Sequence, residues 1–244
     1  GKEQDWVAHL QNRPKEKPFF FWFAASDAHR GWKQSEHAPV YSNDQVVIPP
    51  YMVDTEVTRQ DLASYYHEVS RFDHFIGLVT EELKQQGVLD NTLIVVAADN
   101  GRPFPRCKSR LYDSGIKTPW VVHYPRLIQS PVVTDSLVSV IDLSATCLEL
   151  AGVEKPECIQ GQSFLPILKD PQTEVRQYVF SEHNWHVYKN HERMVRLGDF
   201  VYIKNNYPNQ ANLCYESDDT FPAGKELWEA HAAGKTTPQQ QQVF

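Results

Sequence analysis

The sequence predicts an α/β fold in which a mainly parallel sheet is sandwiched by helices and followed by a small antiparallel subdomain. Three observations predict it. Short apolar runs alternate with stretches of helical periodicity over the first 152 residues. Polar residues able to do chemistry follow directly on the ends of two of those runs, where open α/β sheets bind their ligands. Beyond the proline-rich stretch 156–171 the pattern changes to alternating runs, two of them joined by Gly198-Asp199, a two-residue hairpin signal. The expected division is therefore 1–152 for the α/β part and 153–244 for the smaller subdomain.

Residues 19–25, almost wholly aromatic or apolar, predict a buried strand. Between Thr58 and Gln86 apolar residues recur at Leu62, Tyr65, Tyr66, Val69, Phe72, Ile76, Val79 and Leu83, which is helical spacing, and Gly87 is placed to end the helix. Residues 93–98 and 120–124 predict two further short strands. Residues 142–150 predict a helix capped by Asp142 and stopped by Gly152. Tyr178–Phe180, 194–197 and 200–203 supply the antiparallel sheet. The tail 218–244, with four consecutive Gln, has weak periodicity and predicts partial disorder.

At 244 residues and 41% hydrophobic content the chain can bury a substantial core. Its 16 Pro and 6 Trp suit a soluble, loop-rich protein. It has no apolar run of about 18 residues, so no membrane span is expected. The start, Gly-Lys-Glu-Gln-Asp, has no apolar stretch of the kind a secretion signal carries. The four cysteines, Cys107, Cys147, Cys158 and Cys214, show neither metal-ligand spacing nor a dense disulfide framework. Most are expected free or buried, and Cys107 has no evident base to make it a nucleophile.

The most informative segment is Asp99-Asn100-Gly101-Arg-Pro-Phe-Pro-Arg-Cys-Lys108. An apolar run that ends in a carboxylate and an amide delivers two oxygen ligands suited to a hard cation, although Asn-Gly after a strand is also a turn signal. Arg102, Arg106, Lys108 and Arg110 fall within nine residues of a chain whose formal net charge is -7. Such a concentration of positive charge suits sulfate or phosphate. The following residues include Tyr112, Gly115-Ile116 and Pro119. With the upstream Asp27-Ala28-His29-Arg30 at the end of an aromatic run, the chain resembles the sulfatase family of the alkaline phosphatase superfamily. Within that family the strings at 27–30, 49–55 and 99–105 are most similar to N-sulfoglucosamine sulfohydrolases, the heparan-type N-sulfatases. Those enzymes carry Pro where this chain has Ala28.

The resemblance implies a calcium ion held in part by Asp99 and Asn100, and a formylglycine nucleophile. It also implies that Lys108 binds sulfate oxygens and that His29 acts as acid toward the departing amine or alcohol. Read alone, Asp99 is also a turn cap, Lys108 a surface charge and His29 a loop residue. His183 and His186, flanking Trp185, form a candidate sugar-binding wall, with aromatic packing between subdomains as the alternative. The family's Cys/Ser-x-Pro-Ser-Arg signature and first-strand Asp pair are absent from the 244 residues. Its Glu-Leu-Tyr-Asp-like strand is represented only by Lys225-Glu-Leu-Trp228. The expectation is a sulfatase for a sulfated saccharide, such as N-sulfoglucosamine of heparan-type glycans, whose nucleophile lies on a missing N-terminal part. The chain alone is expected to be inactive and to bind calcium weakly. A phosphonate or phosphate monoester hydrolase and a non-catalytic sulfated-glycan-binding protein are the alternatives. No nucleic-acid partner is expected, and the resemblance implies a lysosomal, periplasmic or secreted location.

Overall fold

Helix α1 (Trp6–Gln11) packs against the C-terminal half of the thirty-residue α2 (Glu56–Gln85). The computed structural model describes residues 2–210 and 213–244. Thr55 caps α2 by accepting a hydrogen bond from the Thr58 amide at 3.1 Å, and Gly87, at φ +67°, turns the chain away from its end. Leu62, Phe75, Val79 and Leu83 bury the predicted stripe, whereas Val69 is exposed. The same helix also buries Thr58, Asp61, His67 and Glu68. These polar groups take up loop donors: Glu68 accepts from the Lys33 amide and His67 from the Ser35 amide.

Residues 19–25 are extended, with Phe19, Phe21, Phe23 and Ala25 turned onto the cluster of Trp6, Leu10, Phe75, Val79 and Leu83. Phe20 and Trp22 alternate outward and are 69% and 70% exposed. The period of two expected for a strand is therefore present, but the segment makes no ladder among the described residues.

Strands β1 (Ile94–Ala97) and β2 (Trp120–His123) pair antiparallel, with Ile94 opposite His123 and Ala97 opposite Trp120. This corrects the expectation of a mainly parallel sheet: every paired strand among the described residues runs antiparallel to its neighbour. The reason lies in the connection. A parallel return needs a crossover along the sheet, whereas 98–119 stays at one end of the strands as a folded loop whose only helix is the short α3 (Asp113–Ile116).

Helix α4 (Asp142–Leu150) has the predicted bounds, but Asp142 does not cap it. Fully buried, its carboxylate accepts from the Ser139 amide at 2.7 Å, the Gln162 amide at 2.8 Å and Arg176 Nε at 3.0 Å. It thus ties α4 to the segment carrying α5 (Leu165–Lys169) and the start of the second sheet.

That sheet has the order β3-β4-β5, with β3 (Tyr178–His186), β4 (Tyr188–Leu197) and β5 (Phe200–Asn205) all antiparallel. Gly198-Asp199 is the predicted hairpin, closing Leu197 onto Phe200. The strand seen from Tyr178 to Phe180 continues through His186, where Val187 at φ 55° turns the chain back.

The tail departs from expectation. Two helices, α6 (Pro222–Ala232) and α7 (Pro238–Gln241), replace the predicted disorder. Ala223, Leu227 and Val243 are buried, Ala223 within the same cluster as Met52 and Leu62, and Gln240 Nε2 donates to the Met52 carbonyl at 2.9 Å. Burial against α2 supplies the order that weak periodicity does not advertise. Lys225-Glu-Leu-Trp228 accordingly lies in a helix rather than in a strand. No described helix is long and apolar enough to cross a membrane.

Candidate active site

The loop after β1 is built on two close backbone approaches. The Gly101 amide donates to the Gly115 carbonyl at 2.8 Å. A Cβ on Gly101 would overlap Ser114 O and Gly115 Cα, and one on Gly115 would overlap the carbonyl oxygens of Arg110 and Cys107. Both glycines are thus required by contact, since only hydrogen fits there. Between them Pro103, Phe104 and Pro105 are buried, with Phe104 stacked on Trp32 at 6.3 Å and edge-on to Tyr65 at 5.5 Å. The Pro-Phe-Pro string is an anchor that seats the loop on α2.

On this seat Asp99 is exposed and Asn100 half-buried. Asn100 Nδ2 donates to the Gly101 carbonyl at 2.7 Å, which leaves the amide oxygen as the end able to ligate a cation. Asp99 and Asn100 therefore suit calcium chemically, but they supply only two of the six to eight oxygens it takes. Among the described residues no group of three or more His, Cys, Asp or Glu side chains could hold a metal ion.

The four cations of the loop do not share one open face. Arg102 Nη2 donates to the Tyr51 hydroxyl at 2.9 Å, and Arg106 lies 3.9 Å over the Tyr112 ring. Lys108 Nζ stands 3.3 Å from Glu216 Oε1, the two side chains being 13% and 4% exposed. Arg110, 3% exposed, stands 3.9 Å from Glu192, and burial pulls its pKa down against the opposing pull of that carboxylate. Lys108 is thus a largely buried ammonium with one carboxylate partner, a geometry that fixes its charge in place.

His29 sits in the other motif loop, exposed, with Nδ1 3.1 Å from the Arg30 carbonyl. The Asp27–Ala28 peptide just before it is cis. The Arg30 side chain is only 6% exposed and its Nε donates to the Pro103 carbonyl at 2.9 Å, so the loops of His29 and Lys108 are joined directly. Asp27 pairs with Arg71, which also stands 3.4 Å from Glu3. Burial first, then a shared hydrogen bond with Glu68, push Asp27 up to about 6 despite Arg71. A carboxylate raised from 3.8 favours folding when protonated, so its contribution is present below about pH 4 and lost as pH rises through about 6. Asp27→Asn is expected to flatten that limb of a plot of Tm against pH; an unchanged slope would show that Asp27 does not titrate there.

His183 is 7% exposed and faces its cross-strand neighbour Glu192, Nδ1 to Oε2 being 3.5 Å. His186 is half-buried, and Trp185 is 71% exposed beyond a β-bulge. A sugar at this strand end would meet Trp185 and His186 before His183. The structure brings His183 instead towards Arg110, through Glu192.

Cys107 is completely buried, and burial pushes its thiol up. Its Sγ lies 3.3 Å from the Tyr51 hydroxyl, itself pushed up to about 12 chiefly by burial. This is the environment of an inert thiol. In the native protein a thiol reagent is expected to label exposed Cys158 within minutes and to spare Cys107 until denaturant is added, as read by peptide mass spectrometry. Early labelling of Cys107 would contradict the packing.

Sequence reasoning missed Asp61, Glu192 and Glu216, the buried carboxylates that hold the site's cations. The available signal was a carboxylate beside an apolar core position, as in Asp61-Leu62, and it is weak because such residues are usually exposed.

The sequence matches the sulfatase family over residues 4–153 and the family of N-sulphoglucosamine sulphohydrolase C-terminal regions over 107–212. It is 29% identical to an ulvan-active sulfatase of Formosa agariphila, the match covering 99% of this chain and 47% of that protein. It is 30% identical to human N-sulphoglucosamine sulphohydrolase, over 63% of this chain and 37% of that protein. The chain thus spans about half or less of these relatives. Among solved structures, BT4656 in complex with its substrate D-glucosamine-2-N,6-O-disulfate superposes with a TM-score of 0.55 at 26% identity, covering 60% of this chain and 32% of that one. A protein of glycosaminoglycan metabolism in Bacteroides thetaiotaomicron superposes with a TM-score of 0.66 at 22% identity, covering 87% and 53%, a likeness of fold.

Proposed function

The chain belongs to the sulfatase family, and from that premise we propose that it forms the later part of an enzyme that hydrolyses sulfate from a sulfated sugar, N-sulfoglucosamine of heparan-type glycans being the favoured substrate. The observation that carries this reading is the loop after β1, which bears Asp99 and Asn100 at its start and, further along, a largely buried Lys108 paired with Glu216, its amide tied back to the Arg102 carbonyl at 3.1 Å. The matches to the N-sulphoglucosamine sulphohydrolase C-terminal family and to the human enzyme of that name support the choice of sugar.

In this reading Asp99 and Asn100 would hold part of the shell of a calcium ion, which when bound would polarise the sulfate, and the attacking oxygen would come from a formylglycine on the missing N-terminal part. Lys108 holds sulfate oxygens and offsets the charge that gathers on them. A fixed cation in a dry pocket is worth more there than in water, because nothing has to reorganise around it. Glu216 keeps Lys108 from being an uncompensated buried charge before substrate arrives. His29, on the exposed rim, gives a proton to the departing nitrogen or oxygen, a role that needs reach to the leaving atom. The reading carries with it a lysosomal, periplasmic or secreted location.

The test is a substrate panel for the enzyme assembled from this chain and the part bearing the nucleophile. Sulfate release is measured on glucosamine N-sulfate, N-acetylglucosamine 6-sulfate and a 2-O-sulfated uronide, beside phosphate release from an aryl phosphate with manganese or zinc. Preference for the N-sulfate supports the proposal. Preference for an O-sulfate removes the favoured sugar and keeps the sulfatase. Phosphate release alone, or glycan binding without turnover, would overturn the proposal in favour of a phosphohydrolase or a binding protein.

A further inference from the structure

We infer that Asp61 and Arg30 form a clamp that sets the two motif loops in register, which makes Arg30 a positioning residue for His29; the inference rests on the sulfatase reading above. Arg30 spends its guanidinium on two elements at once. Nη1 and Nη2 donate to Asp61 Oδ1 and Oδ2 at 2.7 and 2.8 Å, a bidentate pair with side chains 6% and 2% exposed. Nε donates to the Pro103 carbonyl at 2.9 Å, inside the loop that carries Asp99, Asn100 and Lys108. The flat faces of the same group meet Phe104 at 4.7 Å, Trp32 at 5.1 Å and Phe221 at 4.4 Å. Asp61 completes the junction by accepting from Trp32 Nε1 at 2.7 Å and from the Ala223 amide at 3.3 Å. One carboxylate on α2 thereby fixes both motif loops and the start of α6.

His29 is exposed, and its hydrogen bonds among the described residues are local: its amide donates to the Ser26 carbonyl at 2.9 Å and its Nδ1 stands 3.1 Å from the Arg30 carbonyl. Its place relative to the loop of Lys108 is therefore set through Arg30. Lysine could keep the charge at this position but not the fork, because an ammonium cannot bond both carboxylate oxygens and the Pro103 carbonyl in a fixed plane. A misplacement of about 1 Å at a reacting group can lower the rate by about 100-fold.

A positioning role makes a prediction that mere structural support does not. Proton donation matters for a poor leaving group and hardly at all for a good one. In the assembled enzyme, Arg30→Lys and His29→Ala are each compared with wild type on glucosamine N-sulfate and on 4-nitrophenyl sulfate, with Tm recorded. Arg30→Lys is expected to lower kcat on the sugar by about 10–100-fold with KM within about threefold, and to cost less than about threefold on the nitrophenyl ester. His29→Ala is expected to show the same contrast more strongly. Equal losses of Arg30→Lys on both substrates, or none, while His29→Ala keeps the contrast, would overturn the clamp and leave the sulfatase reading standing. If neither variant shows the contrast, the role of His29 fails and the clamp with it. Should Arg30→Lys not fold, Trp32→Phe removes one donor to Asp61 while keeping an aromatic ring there, and the same contrast in weaker form is the supporting result; its absence there overturns the inference.

Discussion

Replacing Lys108 with alanine is expected to lower kcat/KM of the assembled enzyme on a sulfated sugar by about 10²–10³-fold, the loss typical of removing one preorganised charge-stabilising group. The substitution has a second effect that must be separated from the first. Glu216, 4% exposed, would lose the ammonium 3.3 Å away and remain a buried, uncompensated carboxylate. Breaking one side of a buried pair commonly costs about 3–5 kcal/mol of stability. The double variant Lys108→Ala/Glu216→Gln removes that carboxylate charge, so stability is expected to recover while activity does not. Recovery of both would mean that Lys108 serves only to neutralise Glu216.

A comparable loss of stability is expected at Asp142, where alanine should cost about 3–5 kcal/mol, measured by urea unfolding. The carboxylate is fully buried and accepts from two loop amides as well as from Arg176. Its loss strands the guanidinium and two amides at once. A cost below about 1 kcal/mol would mean that the amides find other partners on relaxation. Because none of these partners of Asp142 belongs to the loop of Lys108, the activity of the surviving folded enzyme is expected to be unchanged.

The sequence was most legible where local chemistry decides the structure. Helix α4 has its predicted bounds, α2 differs by two residues at its start and one at its end, and Gly198-Asp199 makes the predicted hairpin, because periodicity and turn residues act over a few positions. It was least legible where distant partners decide. The run 19–25 has the alternation of a strand, yet what makes a strand is a neighbour to bond with, and the run itself carries no trace of one. Sheet direction followed the path of the loop 98–119, which is set by the contacts of Gly101, Gly115 and Phe104 rather than by strand composition. The polar, Gln-rich tail is ordered by Leu227, Val243 and the bond from Gln240 to Met52, contacts nearly two hundred residues apart.

The site divides in the same way. The strings around His29, Asp99, Asn100 and Lys108 are readable because they are contiguous. Their supports are not, since Asp61, Glu192 and Glu216 come from three other elements. The cluster Arg102, Arg106, Lys108 and Arg110 reads in sequence as one positive patch. In the fold they are taken up by different groups: Arg102 and Arg106 meet Tyr51, Arg106 and Arg110 meet Tyr112, and Lys108 pairs with Glu216.

The decisive measurement is sulfate released from glucosamine N-sulfate, by ion chromatography, as calcium is titrated into the assembled enzyme and its Asp99→Ala variant. Calcium-dependent release is expected of the wild type, and of the variant a shift of at least about tenfold toward higher calcium together with a fall in the maximal rate. Release that ignores calcium, or an Asp99→Ala variant with the wild-type titration, would contradict the claim that the loop after β1 is the sulfatase site.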